Sequence, residues 1–291
     1  MFITPFTLCP ATGDAFIGRQ QLARNMRRRI ERGESLAVIG GPKLGKTSLV
    51  RTALQGLTDR TVFEIDVGAD PSPQINADLG SIVVLDNLDR APDLAIESLL
   101  TWAMAAKPAS IVVTGSRRLQ IMLTGILAGW PFRMFPLSVL LDGETRQLIG
   151  LDPSAALAEW TGNHPYLTKL LLHYMHSSGE ENHRTLEEAI AMGRSQWEPF
   201  VERLAAEIGE GPEWQLLCYL VESGKPVNPT LAQSDTGIRG IKTVTDTLSY
   251  LGVISRWIRS EEATLFAGCR LLNDFIRLRN EAGTHTLLNC Q

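Results

Sequence analysis

The stretch SLAVIGGPKLGKTSLVRTAL, residues 35–54, decides the fold of this chain. It begins with an apolar run typical of a buried strand, and from Thr47 onward its apolar residues recur at helical spacing. Between the two lies Gly-x-x-x-x-Gly-Lys-Thr, residues 40–47, which is the complete phosphate-loop pattern. A strand, a glycine-rich loop and a helix in this order predict a loop that binds phosphate groups.

The spacing of this pattern has a physical reason. Glycines allow several backbone N–H groups to converge on the phosphates, and the start of the following helix adds its positive dipole end. The Lys46 ammonium can reach the β- and γ-phosphates, and the Thr47 hydroxyl can bind Mg²⁺. The residues predicted to bind nucleotide in this loop are Gly40, Gly41, Pro42, Lys43, Leu44, Gly45, Lys46, Thr47 and Ser48.

A second informative stretch is SIVVLDNLDR, residues 81–90. Its apolar run predicts a buried strand that ends at Asp86, and this carboxylate is predicted to hold Mg²⁺ together with Thr47. Nucleotide hydrolases often carry a second carboxylate at the next position, where this chain has Asn87; an amide can orient water but cannot accept its proton. Asp89 is the nearest acidic alternative if a turn begins there. We therefore expect nucleotide binding with slow or partner-dependent hydrolysis.

The N-terminal part of the chain alternates between two kinds of apolar pattern. Strands are predicted at residues 61–67, 110–114 and 132–136, and helical patterns at about 92–106 and 117–128 lie between them. Such alternation predicts a parallel sheet that is covered by helices on both faces, which is an α/β fold of the P-loop NTPase type.

The pattern changes twice further along the chain. Residues 142–206 read as helices, and from Pro212 onward two amphipathic helices, a short turn-helix and a β-hairpin precede a final helix. We predict three domains: a nucleotide-binding α/β domain in 1–140, a helical lid in 141–207 and a winged helix in 208–291.

The composition excludes several classes of protein. The 291 residues are 44% hydrophobic and 21% charged, which is ordinary for a folded domain, and no apolar run approaches the length of a membrane span. The net charge of −4 gives no overall attraction to nucleic acid. The four cysteines lack the paired spacing of a metal site, and the N-terminal residues lack a secretory signal, so we expect a cytoplasmic protein.

Five landmarks occur in the order found in one family. They are FIGRQQL (16–22), the phosphate loop, IVVLDNLD (82–89), IVVTGSRRL (111–119) and TGNHPYLTKLL (161–171). With these motifs the chain resembles the STAND branch of AAA-type P-loop ATPases, signalling ATPases related to the origin-recognition and apoptotic-regulator groups. The resemblance covers residues 16–172, and the phosphate loop is its most specific motif.

The resemblance implies roles for residues outside the phosphate loop. Ile17, Gly18 and Arg19 would lie beside the adenine, and Arg117 would point at the γ-phosphate. His164 and Pro165 would lie over the base, at the start of a lid helix. Simpler interpretations stay open: Arg19 capping a helix, Arg117 as a solvated loop residue, and His-Pro as an ordinary helix start. The implied ligands are ATP or ADP with Mg²⁺, and the predicted catalytic set is Lys46, Asp86, Asn87, Asp89 and Arg117.

Three functions compete at this point. The first is an ATP-controlled switch, in defence or signalling, that recruits a separately encoded protein partner or effector, or that self-associates into a homo-oligomer. The second is a DNA-associated ATPase, akin to origin or transposition loaders, that uses the winged helix. The third is a degenerate ATPase that acts as a structural adaptor, which Asn87 and the short crossover at residues 68–80 would favour.

The distribution of charge favours the protein-directed switch over the DNA-associated ATPase. In the module 208–291 the cations Arg239 and Lys242 are offset by Asp235 and Asp246, so few phosphates would be neutralised. A richer basic stretch, LARNMRRRIERG, spreads its arginines over more than one face of a predicted helix. Nucleic acid is therefore not the favoured partner, and no membrane association is expected.

Overall fold

The computed structural model describes residues 11–12, 16–69, 79–125, 127–149, 155–176, 185–259 and 262–288. These residues form two compact units, one within Cys9–Ser138 and the other within Val139–Gln291. We call them the N-terminal unit and the C-terminal unit and describe each by itself.

The N-terminal unit is built on a sheet of five parallel strands in the order β2-β3-β4-β1-β5. The strands are β1 Ser35–Ile39, β2 Val62–Asp66, β3 Ile82–Asp86, β4 Ser110–Gly115 and β5 Phe132–Pro136. The helices of this unit are α1 Gln20–Glu31, α2 Lys46–Leu54, α3 Asp93–Ala105 and α4 Arg117–Thr124. The predicted α/β fold with a parallel sheet is confirmed.

The burial of the side chains is consistent with the strand order. Every residue of β3 and of β4 is buried, so these apolar strands occupy the interior of the sheet, as strands covered on both faces must. Strand β2 exposes alternate residues and lies at one edge. The crossover that the sequence predicts as short, residues 68–80, lies largely outside the described residues and stays a prediction.

The position of β4 matters for the site. It pairs with β1 on one side and with β3 on the other, so the carboxyl ends of these three strands are adjacent. The Gly40 amide donates to the Gly115 carbonyl at 3.1 Å, which carries the pairing of β1 and β4 into the phosphate loop. Because the strands are parallel, the loop, Asp86 and the start of α4 all lie at the carboxyl ends of the strands.

The C-terminal unit consists mainly of helices. They are α5 Asp142–Ile149, α6 Ala155–Thr161, α7 Pro165–His176, α8 Leu186–Ile208, α9 Pro212–Ser223, α10 Pro229–Thr236, α11 Ile241–Leu251 and α12 Arg270–Leu288. Strands β6 Ser255–Arg259 and β7 Glu262–Phe266 form an antiparallel hairpin, and Val227 bridges to Leu265 beside it. The predicted hairpin is present, whereas the winged-helix assignment itself stays a prediction.

The predicted lid and winged helix contribute to one hydrophobic core. It extends from Leu157 on α6 through Phe200 on α8 to Leu248 on α11 and Ile276 on α12. A close contact joins its two ends: a Cβ built on Gly162 would lie 2.8 Å from the Cβ of Cys269. The structure therefore joins these regions in one unit, and the predicted boundary at residues 207–208 stays a prediction.

Among the residues that the structure describes, no helix is both long enough and apolar enough to cross a bilayer.

Candidate functional site

The backbone of the phosphate loop is held in a narrow curve at the end of β1. Gly45 has a φ of 90°, which glycine adopts readily, and Lys43 adopts a φ of 55°. A Cβ on Gly40 would lie 2.9 Å from the carbonyl oxygen of Leu137, so only glycine fits beside the chain that follows β5. Helix α2 begins at Lys46, which places the positive end of its dipole at the loop.

The Lys46 ammonium lies across this curve. Its Nζ donates to the carbonyl oxygens of Gly40 and Gly41 at 2.9 and 2.8 Å. The side chain is thus folded over the loop in which its charge would meet the β- and γ-phosphates of a bound nucleotide.

The Asp86 carboxylate, at the end of β3, accepts hydrogen bonds from two hydroxyl groups. Its Oδ2 accepts from the Thr47 hydroxyl at 2.7 Å, and its Oδ1 accepts from the Thr114 hydroxyl at 2.5 Å. The residue is only 4% exposed, so both contacts compensate for removing a carboxylate from water. The structure brings Thr47 and Asp86 together, and their predicted role toward Mg²⁺ stays a prediction. The sequence analysis missed Thr114, which follows the apolar run of β4.

Thr47 and Asp86 fit a magnesium ion. An alcohol oxygen and a carboxylate oxygen are ligands that Mg²⁺ takes where phosphates and water supply the remaining positions. Among the described residues no group of three or more His, Cys, Asp or Glu side chains could hold a metal ion.

The carboxylates near the tips of β2 and β3 also affect Arg51 on α2. The hydrogen bond from Arg51 to Glu64 raises the pKa of the guanidinium; burial opposes this, and the charges of Asp86 and Asp66 add to the increase.

Asn87 is held at the tip of β3 by its backbone and by its side chain. It has a φ of 56°, its amide N donates to the Thr114 hydroxyl at 3.0 Å, and its Nδ2 donates to Asp66 Oδ1 at 3.0 Å. Asp66 ends β2 opposite Asp86 and also accepts from the Gly68 amide at 3.0 Å. Sequence reasoning missed Asp66, and its signal was a carboxylate at the end of a predicted strand.

Asp89 lies in a 3-10 turn formed by Leu88–Arg90, so the turn on which its role depended is present. Its carboxylate accepts from the Ser116 amide at 2.7 Å and from the Ser116 hydroxyl. Arg118 donates to the Asp89 carbonyl at 2.6 Å. Asp89 thus connects the end of β3 to the start of α4. Arg117 is the first residue of α4 and therefore lies, like the loop, at the carboxyl ends of the strands. Its sensor role stays a prediction.

Arg19 contacts the backbone of the phosphate loop at Leu44. It occupies the N-cap position of α1, but its side chain makes no capping hydrogen bond. Instead the guanidinium of this residue, which as a whole is 5% exposed, donates to the carbonyl oxygen of Leu44 at 2.6 Å and to that of Ser138. Ile17 and Gly18 precede it, with Gly18 at a φ of 100°. The adenine-side role of Ile17, Gly18 and Arg19 stays a prediction.

Three predicted residues remain: Ser48, which follows Thr47 on α2, and the pair His164 and Pro165. The Ser48 hydroxyl on α2 accepts from the Ala11 amide at 3.0 Å. His164 and Pro165 belong to the C-terminal unit, where Pro165 begins α7. His164 is 1% exposed and contacts the Phe200 ring, with 5.0 Å between ring centroids. The proposed position of this pair over the base stays a prediction.

Comparison with known proteins identifies the fold. No protein-family model matches the chain, and no curated protein matches it. Among solved structures, a Walker-type ATPase of Pyrococcus abyssi is similar at 16% identity and a TM-score of 0.52, covering 94% of this chain and 100% of its own. A variant of RuvB from Thermotoga maritima is similar at 17% identity and a TM-score of 0.50, covering 89% of this chain and 95% of its own.

The chain has a P-loop NTPase-like fold. At this level of identity the likeness shows the fold alone. In this chain the Thr47 hydroxyl donates to the Asp86 carboxylate at 2.7 Å.

Proposed function

We propose that this chain binds ATP or ADP with Mg²⁺ at the Gly40–Thr47 loop and acts as a nucleotide-controlled switch of the STAND type. The observation that carries the proposal is the 2.7 Å contact between Thr47 and Asp86 beside a glycine-rich loop at a helix start. The parallel sheet places the phosphate-binding loop and the acidic strand tip at the same ends of β1 and β3, the two strands that flank β4. Their contact is what a Mg²⁺-nucleotide site requires.

Each residue has a separate task in this proposal. Loop amides and Lys46 bind the phosphates, while Thr47 and Asp86 hold the metal. Bound Mg²⁺ would neutralise charge that develops on the phosphate oxygens. Thr114 keeps the Asp86 carboxylate turned toward Thr47, and Arg19 supports the loop through the Leu44 carbonyl.

Hydrolysis would be slow in the isolated protein. The Asn87 amide cannot accept a proton from water. The carboxylates of Asp86 and Asp89 already accept hydrogen bonds from hydroxyl and amide donors. A site that binds nucleotide well and releases phosphate slowly keeps the two nucleotide states distinct for a long time. Such a lifetime suits a switch and leaves room for stimulation by a partner.

The output of the switch would be recruitment of a separately encoded protein or self-association. The α9–α11 and hairpin region supports this, because its cations stand close to acids in the sequence and Tyr219 binds Asp235 at 2.6 Å in the same surface. A protein surface with balanced charge fits a protein partner better than it fits a polyphosphate.

Isothermal titration calorimetry with Mg-ATP and Mg-ADP tests the proposal. The parent protein is expected to bind both, and Lys46→Ala is expected to abolish binding while preserving the circular dichroism spectrum. Lys225→Ala, an exposed lysine of the C-terminal unit, is the matched control and should bind as the parent does. Equal affinity of the Lys46 variant and the parent would refute a nucleotide site in this loop.

A further inference from the structure

Two side chains at the tips of neighbouring strands form a pair that the phosphate-loop pattern does not include. Asp66 ends β2, and Asn87 follows the last residue of β3. Asn87 Nδ2 donates to Asp66 Oδ1 at 3.0 Å. The strands are in register here, with Asp66 opposite Asp86, so the pair lies directly beside the carboxylate assigned to the metal.

The chemistry of the pair fixes the orientation of the amide. An ionised carboxylate can only accept hydrogen bonds, so the amide must present its NH₂ group to Asp66. The oxygen of the same amide then faces away from β2, because the two atoms lie on opposite sides of one carbon. Asp66 thereby removes the ambiguity between the two orientations of Asn87.

Both partners are restrained. Asp66 Oδ1 also accepts from the Gly68 amide at 3.0 Å, which limits rotation of the carboxylate. The backbone of Asn87 donates to the Thr114 hydroxyl at 3.0 Å, and that hydroxyl donates to Asp86. The position and the orientation of the Asn87 amide are therefore tied to the carboxylate that would hold the metal.

We propose that Asp66 is a positioning residue that directs the Asn87 amide oxygen toward the water that attacks the γ-phosphate. This inference rests on the proposed nucleotide site. An amide that orients the attacking water is sufficient for slow phosphoryl transfer. The water oxygen bonds to the γ-phosphorus, and the bond from that phosphorus to the β–γ bridging oxygen breaks. The water's proton leaves with the phosphate product because an amide cannot accept it.

Single-turnover and steady-state phosphate release test the inference in the full chain, alongside nucleotide affinity. Asp66→Ala should lower kcat about 10- to 100-fold, since a misdirected water is misplaced by an ångström or more. The Kd for Mg-ATP should stay within about twofold, because Asp66 is not among the residues that hold phosphates or metal. Asp66→Asn should lower kcat less than Asp66→Ala does, because its amide oxygen can still accept from Asn87, although its NH₂ group also permits the opposite orientation.

Exchange of the two residues gives a second measurement that does not depend on Asp66→Ala folding. Asn87→Asp alone places two carboxylates in contact and should lower kcat, whereas Asn87→Asp with Asp66→Asn restores a carboxylate–amide pair and should recover it. Such coupling is not expected of independent surface residues. Glu64→Ala, which removes an exposed ion pair with Arg51 on the same strand, is the matched control and should leave kcat unchanged.

The outcomes separate this inference from the proposal on which it rests. Unchanged kcat in Asp66→Ala, or additive effects of the exchange, would overturn the role of Asp66 while nucleotide binding stands. Binding of Mg-ATP by the parent with no release of phosphate would overturn it as well. Loss of nucleotide binding by the parent would instead refute the site itself.

Discussion

The carboxylate of Asp86 on β3 accepts a hydrogen bond of 2.5 Å from the hydroxyl of Thr114 on the adjacent strand β4. The same carboxylate accepts from Thr47 at the start of α2. Thr114 therefore holds Asp86 in the orientation that reaches the phosphate loop, and it does so from a strand that contributes no residue to the loop itself.

Replacing Thr114 with Val should weaken the proposed metal site. The substitution keeps the shape but removes the hydroxyl, which leaves a buried carboxylate oxygen and the Asn87 amide without this partner. We expect a loss of about 1–3 kcal/mol in the free energy of unfolding. The Mg²⁺-dependent part of the nucleotide affinity should fall as well. Chemical denaturation and titration with and without Mg²⁺ measure the two effects, and Thr114→Ser, which keeps the hydroxyl, should resemble the parent.

Replacing Arg19 with Lys should loosen the phosphate loop. A single ammonium cannot reproduce the planar fork that contacts the carbonyls of Leu44 and Ser138. We expect stability to fall by about 1.5–3 kcal/mol, the usual value of a hydrogen bond to a charged group. Nucleotide affinity should also decrease. Thermal melting and calorimetry provide the measurement, with Arg24→Lys on the exposed face of α1 as control. An Arg19 variant as stable as the control would contradict this account.

The isolated protein should hydrolyse ATP well below about 1 s⁻¹, the lower end of ordinary enzyme turnover. Asn87→Glu alone should not accelerate the reaction, because the new carboxylate would face Asp66. Asn87→Glu combined with Asp66→Asn should accelerate it, since a proton acceptor is then present without repulsion. A phosphate-release assay on the parent, the single variant and the double variant measures these turnover rates.

Asp89 separates two interpretations of that slow hydrolysis. Because its carboxylate binds Ser116, Asp89→Asn should keep most of the turnover through its remaining acceptor oxygen. A complete loss of turnover in this variant, with the fold and nucleotide affinity intact, would instead identify Asp89 as the base. Turnover of many per second in the parent would contradict the slow-switch proposal.

The region from α9 through the hairpin should bind duplex DNA weakly at most. Arg239 and Lys242 stand close in sequence to Asp235 and Asp246, so few phosphates can be neutralised. Fluorescence anisotropy at low and moderate salt, with and without ATP, measures the affinity. Submicromolar, salt-sensitive binding that Arg239→Glu abolishes would contradict this prediction and favour a DNA-associated ATPase over the protein-directed switch.

Replacing Gly162 with Ala should destabilise the C-terminal unit. Gly162 has a φ of 60°, and the added Cβ would lie 2.9 Å from the backbone nitrogen of Cys269 and 2.8 Å from its Cβ. Strain and overlap together should cost about 1–3 kcal/mol. Gly143→Ala, in helix α5 where a Cβ meets open space, is the control and should be neutral or slightly stabilising.

The thiol of Cys269 offers an independent check of the same packing. Burial raises its pKa to about 12, so it should resist alkylation near neutral pH in the parent. Mass spectrometry after iodoacetamide treatment should show modification of Cys269 only when the unit is loosened, as in Gly162→Ala. Rapid labelling of Cys269 in the native parent would show that the contact is not formed in solution.

The local features of this protein were determined by its sequence alone. Short-range patterns predict the phosphate loop, the strand that ends at Asp86 and helix α4. Glycine spacing and apolar periodicity act over only a few residues, so they can be recognised in the sequence. The parallel sheet also followed, since the alternation of strands and helices leaves few other arrangements.

The partners of those features were decided only by the tertiary structure. Apolar periodicity does not encode strand order, so the insertion of β4 between β1 and β3 could not be foreseen, nor could the contact between Thr114 and Asp86. Asp66 is separated from Asn87 by 21 residues and meets it only because β2 pairs with β3 in register. The sequence did not predict the contacts of Arg19 with two distant carbonyls, those of Leu44 and Ser138. In each case a polar group took the partner that long-range packing brought within reach, and for the buried groups Asp86 and Arg19 that partner replaces water.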